Sequence, residues 1–274
     1  MYLVMERSER HIALETLKQC TRDVMTWMEN NKLACNTLKT EVVLFSSRYL
    51  RHDPISQVSV RRLTNLAIIT SIRDFGVCLD HYLMSSHVNR LCKSASFSIK
   101  RIGQICKYLD ALCTETLVHA FVTSKLDYCN SLLIGLPDKE ISKLQRIQNA
   151  AARFVTRTRK TDHISPILRK LHWLPVHKRI IFKSTSNHIQ SFEWTWAKIP
   201  SWYPLYSQAM SSSTRSNFND SKKRVVPVFK TKNYGARSFS NCAPRLWNGL
   251  PREIRFSASV DIFKRHLKTY LFNS

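Results

Sequence analysis

Glycine is scarce in this sequence, 5 residues among 274. That is too few for Gly-rich phosphate loops, collagen-like repeats or Gly-rich disorder. Acids are scarce as well, 19 Asp+Glu against 43 Lys+Arg, which leaves a formal charge of +24. No two of the 8 cysteines stand as Cys-x-x-Cys, so the spacing offers no zinc ribbon or knuckle. No apolar run approaches the roughly 20 residues that a membrane span requires. No secretory leader is recognisable at the N-terminus. A disulfide framework is therefore not expected, and the compartment reads as intracellular, nucleus or cytoplasm.

What is present is a normal globular complement, 43% hydrophobic, enough for one or two domains with a core. The cysteines are Cys20, Cys35, Cys78, Cys92, Cys106, Cys113, Cys129 and Cys242. Several fall among apolar positions, where cysteine behaves as a small buried hydrophobe. A charge of this size repels itself in a compact state unless an acidic partner sits nearby. Nucleic acid is the commonest such partner. An anionic membrane surface is the rival, and a solvated basic surface the plain alternative.

Apolar residues recur at helical spacing from about His11 to Asn30, at Leu14, Leu17, Val24 and Met28. Short apolar, often β-branched runs at Glu41–Phe45, Leu66–Thr70 and Phe75–Leu79 read as strands, so residues 1–83 are α+β. Met1–Met5 reads as a further strand, cut at its start. Three helices follow over 84–160. Ser86 is placed to cap the first, striped by Val88, Leu91, Cys92, Ala95, Ile99, Ile102 and Cys106. Thr114 is placed to cap the second, with Leu117, Val118, Phe121, Val122 and Leu126 inward, ending at Leu136-Pro137. Asp138 is placed to cap the third, with Ile141, Leu144, Ile147, Ala151 and Val155 inward. Short connections make these an antiparallel bundle. Residues 161–183 continue as helix, 184–223 lack regularity, and 224–274 end in an amphipathic helix through Val260, Phe263, Leu267 and Leu271.

The cations cluster on the bundle. Lys93, Lys100, Arg101 and Lys107 lie on its first helix, and Lys139, Lys143, Arg146 and Arg153 on its third. Arg153, Arg157, Arg159 and Lys160 then crowd into a short run. A helix C-terminus attracts cations without any ligand. Together with the helical charges, the run marks a phosphate-facing surface.

Several phrases occur in a telling order: Asn31-Lys32-Leu33, Lys39-Thr40-Glu41-Val42-Val43-Leu44-Phe45, and Arg73-Asp74-Phe75-Gly76-Val77-Cys78-Leu79-Asp80. Leu126-Asp127-Tyr128-Cys129-Asn130-Ser131-Leu132-Leu133 comes next, then Gln145-Arg146-Ile147-Gln148-Asn149-Ala150-Ala151-Ala152-Arg153. Leu171-His172-Trp173-Leu174-Pro175-Val176 and Ala243-Pro244-Arg245-Leu246-Trp247-Asn248-Gly249-Leu250-Pro251 complete the set. In this set the chain resembles the C-terminal half of the reverse transcriptase of a non-LTR (LINE-type) retrotransposon. The resemblance implies an incomplete palm over 1–83, with short antiparallel strands and a primer-grip-like hairpin carrying Phe75, Gly76 and Val77. It implies a helical thumb over 84–160 that holds an RNA–DNA or DNA duplex, followed by an irregular C-terminal region. Lys93, Lys100, Arg101, Lys107, Lys143, Arg146, Arg153, Arg157, Arg159 and Lys160 are then the expected nucleic-acid contacts. No membrane partner is expected; the N-terminal remainder of the polymerase would be one.

Nucleotidyl transfer needs divalent metals, Mg²⁺ in the intact family enzyme, held by clustered carboxylates. The family draws these from an early palm strand and a Tyr-Ala-Asp-Asp turn, and neither is in this sequence. Asp74, Asp80, Asp127 and Glu41 read as surface, capping or ion-pair carboxylates, and His163, His172 and His177 as structural. No metal site and no cofactor is therefore expected in this chain. By the resemblance, Lys39 is a leaving-group acid near the incoming triphosphate; without metal it is only a phosphate-binding cation.

The irregular segment has its own explanation. After Phe182-Lys183 the family continues as a helix and a Gly-x-x-Pro-x-Tyr-Leu phrase, whereas this chain reads Ser184-Thr185-Ser186-Asn187 and then Trp194, Trp196, Trp202 and Tyr203. Reading one base later turns each tryptophan codon into glycine, and allowed codons for Ser191–Trp202 then spell the family phrase. The hypothesis is an out-of-frame stretch, and genomic codons unable to spell that phrase would refute it. Three functional readings follow: an inactive reverse-transcriptase fragment, a non-catalytic nucleic-acid-binding module, and the product of a decayed element with no selected role.

Overall fold

The computed structural model describes residues 10–36, 39–43, 45, 57–60, 63–80, 84–198, 223–228 and 235–274. The Met1–Met5 run, Leu44, Trp202, Tyr203 and the side chains of Trp194 and Trp196 lie outside that description. The chain divides into two compact units, Met1–His87 and Val88–Ser274.

The first unit is α+β. Helix α1 spans Arg10–Asn30, and its end is closed by Leu33 N donating to Met28 O at 2.8 Å. Strands β1 (Val42–Val43), β2 (Gln57–Val60) and β3 (Leu63–Ile69) form one sheet in the order β1-β3-β2. In that sheet β2 runs antiparallel to β3, while β1 runs parallel to it, Val42 opposite Ile68. The expected all-antiparallel arrangement is corrected on this point. A parallel pair needs a long crossover rather than a hairpin, and the sequence separating β1 from β3 supplies the length.

Strands β4 (Ser71–Asp74) and β5 (Val77–Asp80) pair antiparallel, Ser71 opposite Asp80 and Asp74 opposite Val77. Phe75 and Gly76, expected at the start of a strand, form the two-residue turn at φ +42° and +81°. A tight hairpin takes positive φ at both positions because that twist matches its strands. Gly76 adopts it freely, whereas Phe75 carries a steric cost. Phe75 is 86% exposed and Val77 is buried. Strand β4 escaped the sequence reading because Ser71-Ile72-Arg73-Asp74 is mostly polar and exposed.

Helix α2 spans Ser85–Ile105. Its cap is not Ser86 but Asp80, whose two carboxylate oxygens accept from Met84 N at 2.9 Å and Ser86 N at 2.8 Å. The carboxylate satisfies donors that a helix start leaves open and opposes the positive end of its dipole.

The second unit is helical. Along α2, Val88, Ala95 and Ile102 are buried, with Leu91, Cys92, Ile99 and Cys106 half-buried, as the stripe predicts. Helix α3 (Ala111–Val118) is capped by Asp110, which accepts from Cys113 N at 2.6 Å; the expected Thr114 donates its hydroxyl to Asp110 O instead. A π turn over His119–Thr123 joins α3 to α4 (Ser124–Asp127). The extra residue of a π turn rotates the side chains around the axis. Val118, Val122 and Leu126 stay buried, while Phe121, expected inward, is 51% exposed. The helix ends at Asp127, short of the expected Leu136, because Cys129 turns left-handed at φ +51°.

Helix α5 spans Asp138–Thr156, with Pro137 and not Asp138 at the N-cap. Asp138 and Glu140 lie in its first turn, where acids favour the dipole. Helices α6 (Ile164–Lys170) and α7 (Val176–Lys198) follow. Regularity was expected to fail at Ser184, yet α7 runs through it to Lys198. Helices α8 (Phe239–Asn248), α9 (Arg252–Arg255) and α10 (Val260–Asn273) close the chain. Their core is Leu174, Trp247, Leu250, Ile254, Phe263, Leu267 and Leu271, with Trp247 stacked on Phe263 at 5.5 Å between centroids. Among the described residues, no helix is long and apolar enough to cross a membrane.

Candidate nucleic-acid interface

The second unit is locked by polar side chains that leave a defined set of cations outside. Gln148 Nε2 donates to Leu174 O at 2.8 Å, and Val176 N donates to Gln145 Oε1 at 2.8 Å. The two glutamines thus hold the turn that starts α7 against α5. Lys125 Nζ reaches Ser94 Oγ at 2.8 Å and Ser98 Oγ at 2.9 Å, pinning α4 to α2. Lys143 Nζ sits 2.9 Å from both oxygens of Glu140 and 3.0 Å from Asn89 Oδ1. Of the ten expected contacts, Lys143 is therefore already committed.

Four of the remainder converge. Arg146 and Arg153 share a face of α5 with Asn149, Ala150 and Phe154. Arg157 at φ +54° ends the helix and carries the chain on to Lys160. With Ile99 of α2, Cys106 just beyond its end and Thr114 of α3, these residues line an open cleft of about 990 Å³. Phe154 packs toward the Gly103 position of α2, where a Cβ would still have ordinary contact at 3.6 Å. Arg153 Nη2 donates to Asp162 O at 3.0 Å, but its buried Nε meets no acceptor among the described residues. Among the described residues, no acid lines the cleft. Asp162, the nearest acid in sequence, spends an oxygen on Arg159 N at 3.0 Å. Like charges gathered without a counterion raise the local potential and favour an anion.

The other expected residues lie elsewhere. Lys93 and Lys100 flank Phe97 along α2, and Arg101 lies 5.4 Å from the Phe97 ring centroid. Lys107 lies 4.8 Å from the Tyr108 ring, and Arg159 is exposed. In the first unit, Lys39 is exposed, with its backbone N donating to Asn36 Oδ1 at 3.2 Å. Phe75, Gly76 and Val77 sit at the β4–β5 turn. Sequence reasoning missed Asn149, Phe154 and Thr114 as cleft residues. The recurrence of Arg146, Asn149 and Arg153 at helical spacing was the available signal.

Four acids are engaged in structure, while Glu41 and Asp74 are exposed. Asp127 binds Arg179, Asp80 caps α2, Asp110 caps α3 and Glu140 binds Lys143. His163, His172 and His177 are exposed. Among the described residues, no three His, Cys, Asp or Glu side chains gather as a metal site. Burial pushes the Cys92 thiol up, and the hydrogen-bonded Asp110 carboxylate does the same to Cys113. Both are held away from the nucleophilic thiolate. Compared with known proteins, the chain matches no family model, no curated protein and no solved structure.

Proposed function

We propose that residues 88–274 bind nucleic acid through its phosphates, as the non-catalytic remnant of a non-LTR reverse transcriptase. In this reading 1–83 is the end of a palm and 84–160 a thumb, with the cleft on the duplex backbone. The observation that supports it most is the convergence of Arg146, Arg153, Arg157 and Lys160 on a cleft with no acidic lining among the described residues. A cleft of this size takes a stretch of phosphate backbone, the rest of the duplex lying outside it. Guanidinium forks match phosphate oxygens in pairs, which is why arginines serve such a site well. The order of the sequence phrases supports the family reading. Asp80 and Asp127 serve as a cap and an ion-pair partner, in keeping with this reading.

The test is duplex affinity measured against salt. A surface contacting about 6–10 phosphates loses roughly 10³–10⁵ in affinity from low to moderate salt. Arg146 and Lys160 have no ion pair among the described residues, and their joint replacement by alanine should lower the slope by about 2. Binding without a salt slope, or a slope unmoved in that double variant, overturns the reading. Primer extension with Mg²⁺ or Mn²⁺ is expected to give no product.

A further inference from the structure

Helix α2 carries a second basic groove that, among the described residues, shares no lining residue with the cleft. Lys93, Phe97, Lys100 and Arg101 stand at i, i+4, i+7 and i+8, so they form one helical face. Phe97 is 62% exposed. With Cys92, Lys93, Ser96 and Lys100 it lines an open groove of about 360 Å³. The Arg101 guanidinium lies 5.4 Å from the ring centroid, within the range of a cation–π contact that orders both groups. Among the described residues, Lys93, Lys100 and Arg101 have no ion pair and no acid lines the groove.

A single exposed apolar side chain needs no explanation. An aromatic ring set between cations that lack acids is a different case. Cations alone would suit any phosphate, but a phosphate gains nothing from a phenyl ring. A nucleobase gains from it, because its π face stacks on an aromatic ring whatever the sequence. Bases inside a duplex have both faces covered by their neighbours, so only an unpaired base can use the site. An acidic protein partner would find the cations but would leave the ring open.

We propose that Phe97 is a stacking platform for an unpaired nucleobase, with Lys93 and Lys100 holding the phosphates on either side. The preferred ligand is then a duplex with a single-stranded overhang: the cleft takes the duplex backbone and the Phe97 groove takes the overhang. The proposal rests on the phosphate-binding reading of the cleft.

The full chain is titrated with a blunt DNA duplex and with the same duplex carrying a thymidine overhang. The overhang should tighten binding about tenfold, the worth of one or two stacked bases. Phe97→Ala should remove that gain and leave blunt-duplex affinity and its salt slope unchanged. Phe97→Trp should keep the gain, with indole fluorescence quenched by the overhang. Since Phe97 is largely exposed, neither variant disturbs the core. Equal affinity for the two probes, or a gain that survives Phe97→Ala, overturns the proposal. So does a change of oligomeric state in Phe97→Ala, which would make the ring a contact between copies of the chain. Failure of the cleft reading shows separately, as blunt-duplex binding with no salt slope.

Discussion

Arg179 directs Nη1 onto the carboxylate of Asp127 and meets both oxygens at 2.8 Å. Asp127 also accepts from Asn130 Nδ2 at 3.3 Å. The phrase around Leu126–Leu133 is thereby tied to α7, just as Gln145 and Gln148 tie the Leu171–Val176 phrase to α5. Stretches that stand far apart in sequence are thus partners in one polar framework. The framework makes the Asp127 carboxylate a structural tie.

Asp127→Asn should cost little, because the acid's side chain is 45% exposed and solvent screens the pair. A loss of about 1 kcal/mol is expected for such a partly exposed ion pair. A double-mutant cycle with Arg179→Met, read from urea midpoints, should show coupling of about that size, shrinking at high salt. Zero coupling would mean that the contact contributes nothing to stability.

Gln148 presents a stronger case, since it is buried to 2% and its amide reaches Leu174 O across the helix interface. Gln148→Leu strands a buried carbonyl, a change worth about 1–3 kcal/mol. The urea midpoint should fall accordingly, and Gln145→Leu should add less than its own separate cost because the two amides are bonded at 3.0 Å. An unchanged midpoint in Gln148→Leu would sink this account of the turn.

The helices of the second unit were legible because their apolar stripes are long and regular: Val88, Ala95 and Ile102 on α2, and Leu144, Ala151 and Val155 on α5, are all buried. Their caps were not. Ser86, Thr114 and Asp138 are reasonable capping residues, but Asp80, Asp110 and Pro137 occupy those roles. Asp80 reaches α2 from the strand before it, and a local pattern does not show such reach. The π turn was equally silent, and with it the outward position of Phe121. In the candidate site, Arg146, Arg153, Arg157 and Lys160 were found as a charge run. Which cations were spare was not visible: Lys125 is pinned by Ser94 and Ser98, distant in sequence, and Lys143 is held by Asn89 from another helix as well as by the neighbouring Glu140.

Ser184 and Ser186 bear on the out-of-frame reading of the segment that begins there. Both are buried in α7, and neither hydroxyl meets a partner among the described residues. A buried hydroxyl without a hydrogen bond costs stability, so removing it should be favourable. Ser184→Ala is expected to raise stability by about 1 kcal/mol, read as a higher urea midpoint. A lower midpoint would show that the hydroxyl is satisfied and that serine belongs at this position.

His188 makes stability depend on pH. It is buried against the Phe239 and Trp247 rings, at 6.2 Å and 5.8 Å between centroids. Burial pushes its pKa down from 6.5 to about 4, and the Arg224 guanidinium adds to the shift. In the unfolded chain the imidazole regains its ordinary value near 6.5. Between pH 6.5 and 4 the unfolded state therefore holds more protons than the folded one, and stability rises with pH across that window. Its contribution is complete above pH 6.5 and is lost as pH falls toward 4, by about 3 kcal/mol at most. Acidification also increases the net positive charge and so destabilises the fold by self-repulsion. The comparison of parent and variant separates the two effects. The parent should lose about 2 kcal/mol more than His188→Gln between pH 7 and pH 5, from urea midpoints at each pH. Parallel pH profiles for the two proteins would show that His188 is solvated in the folded state.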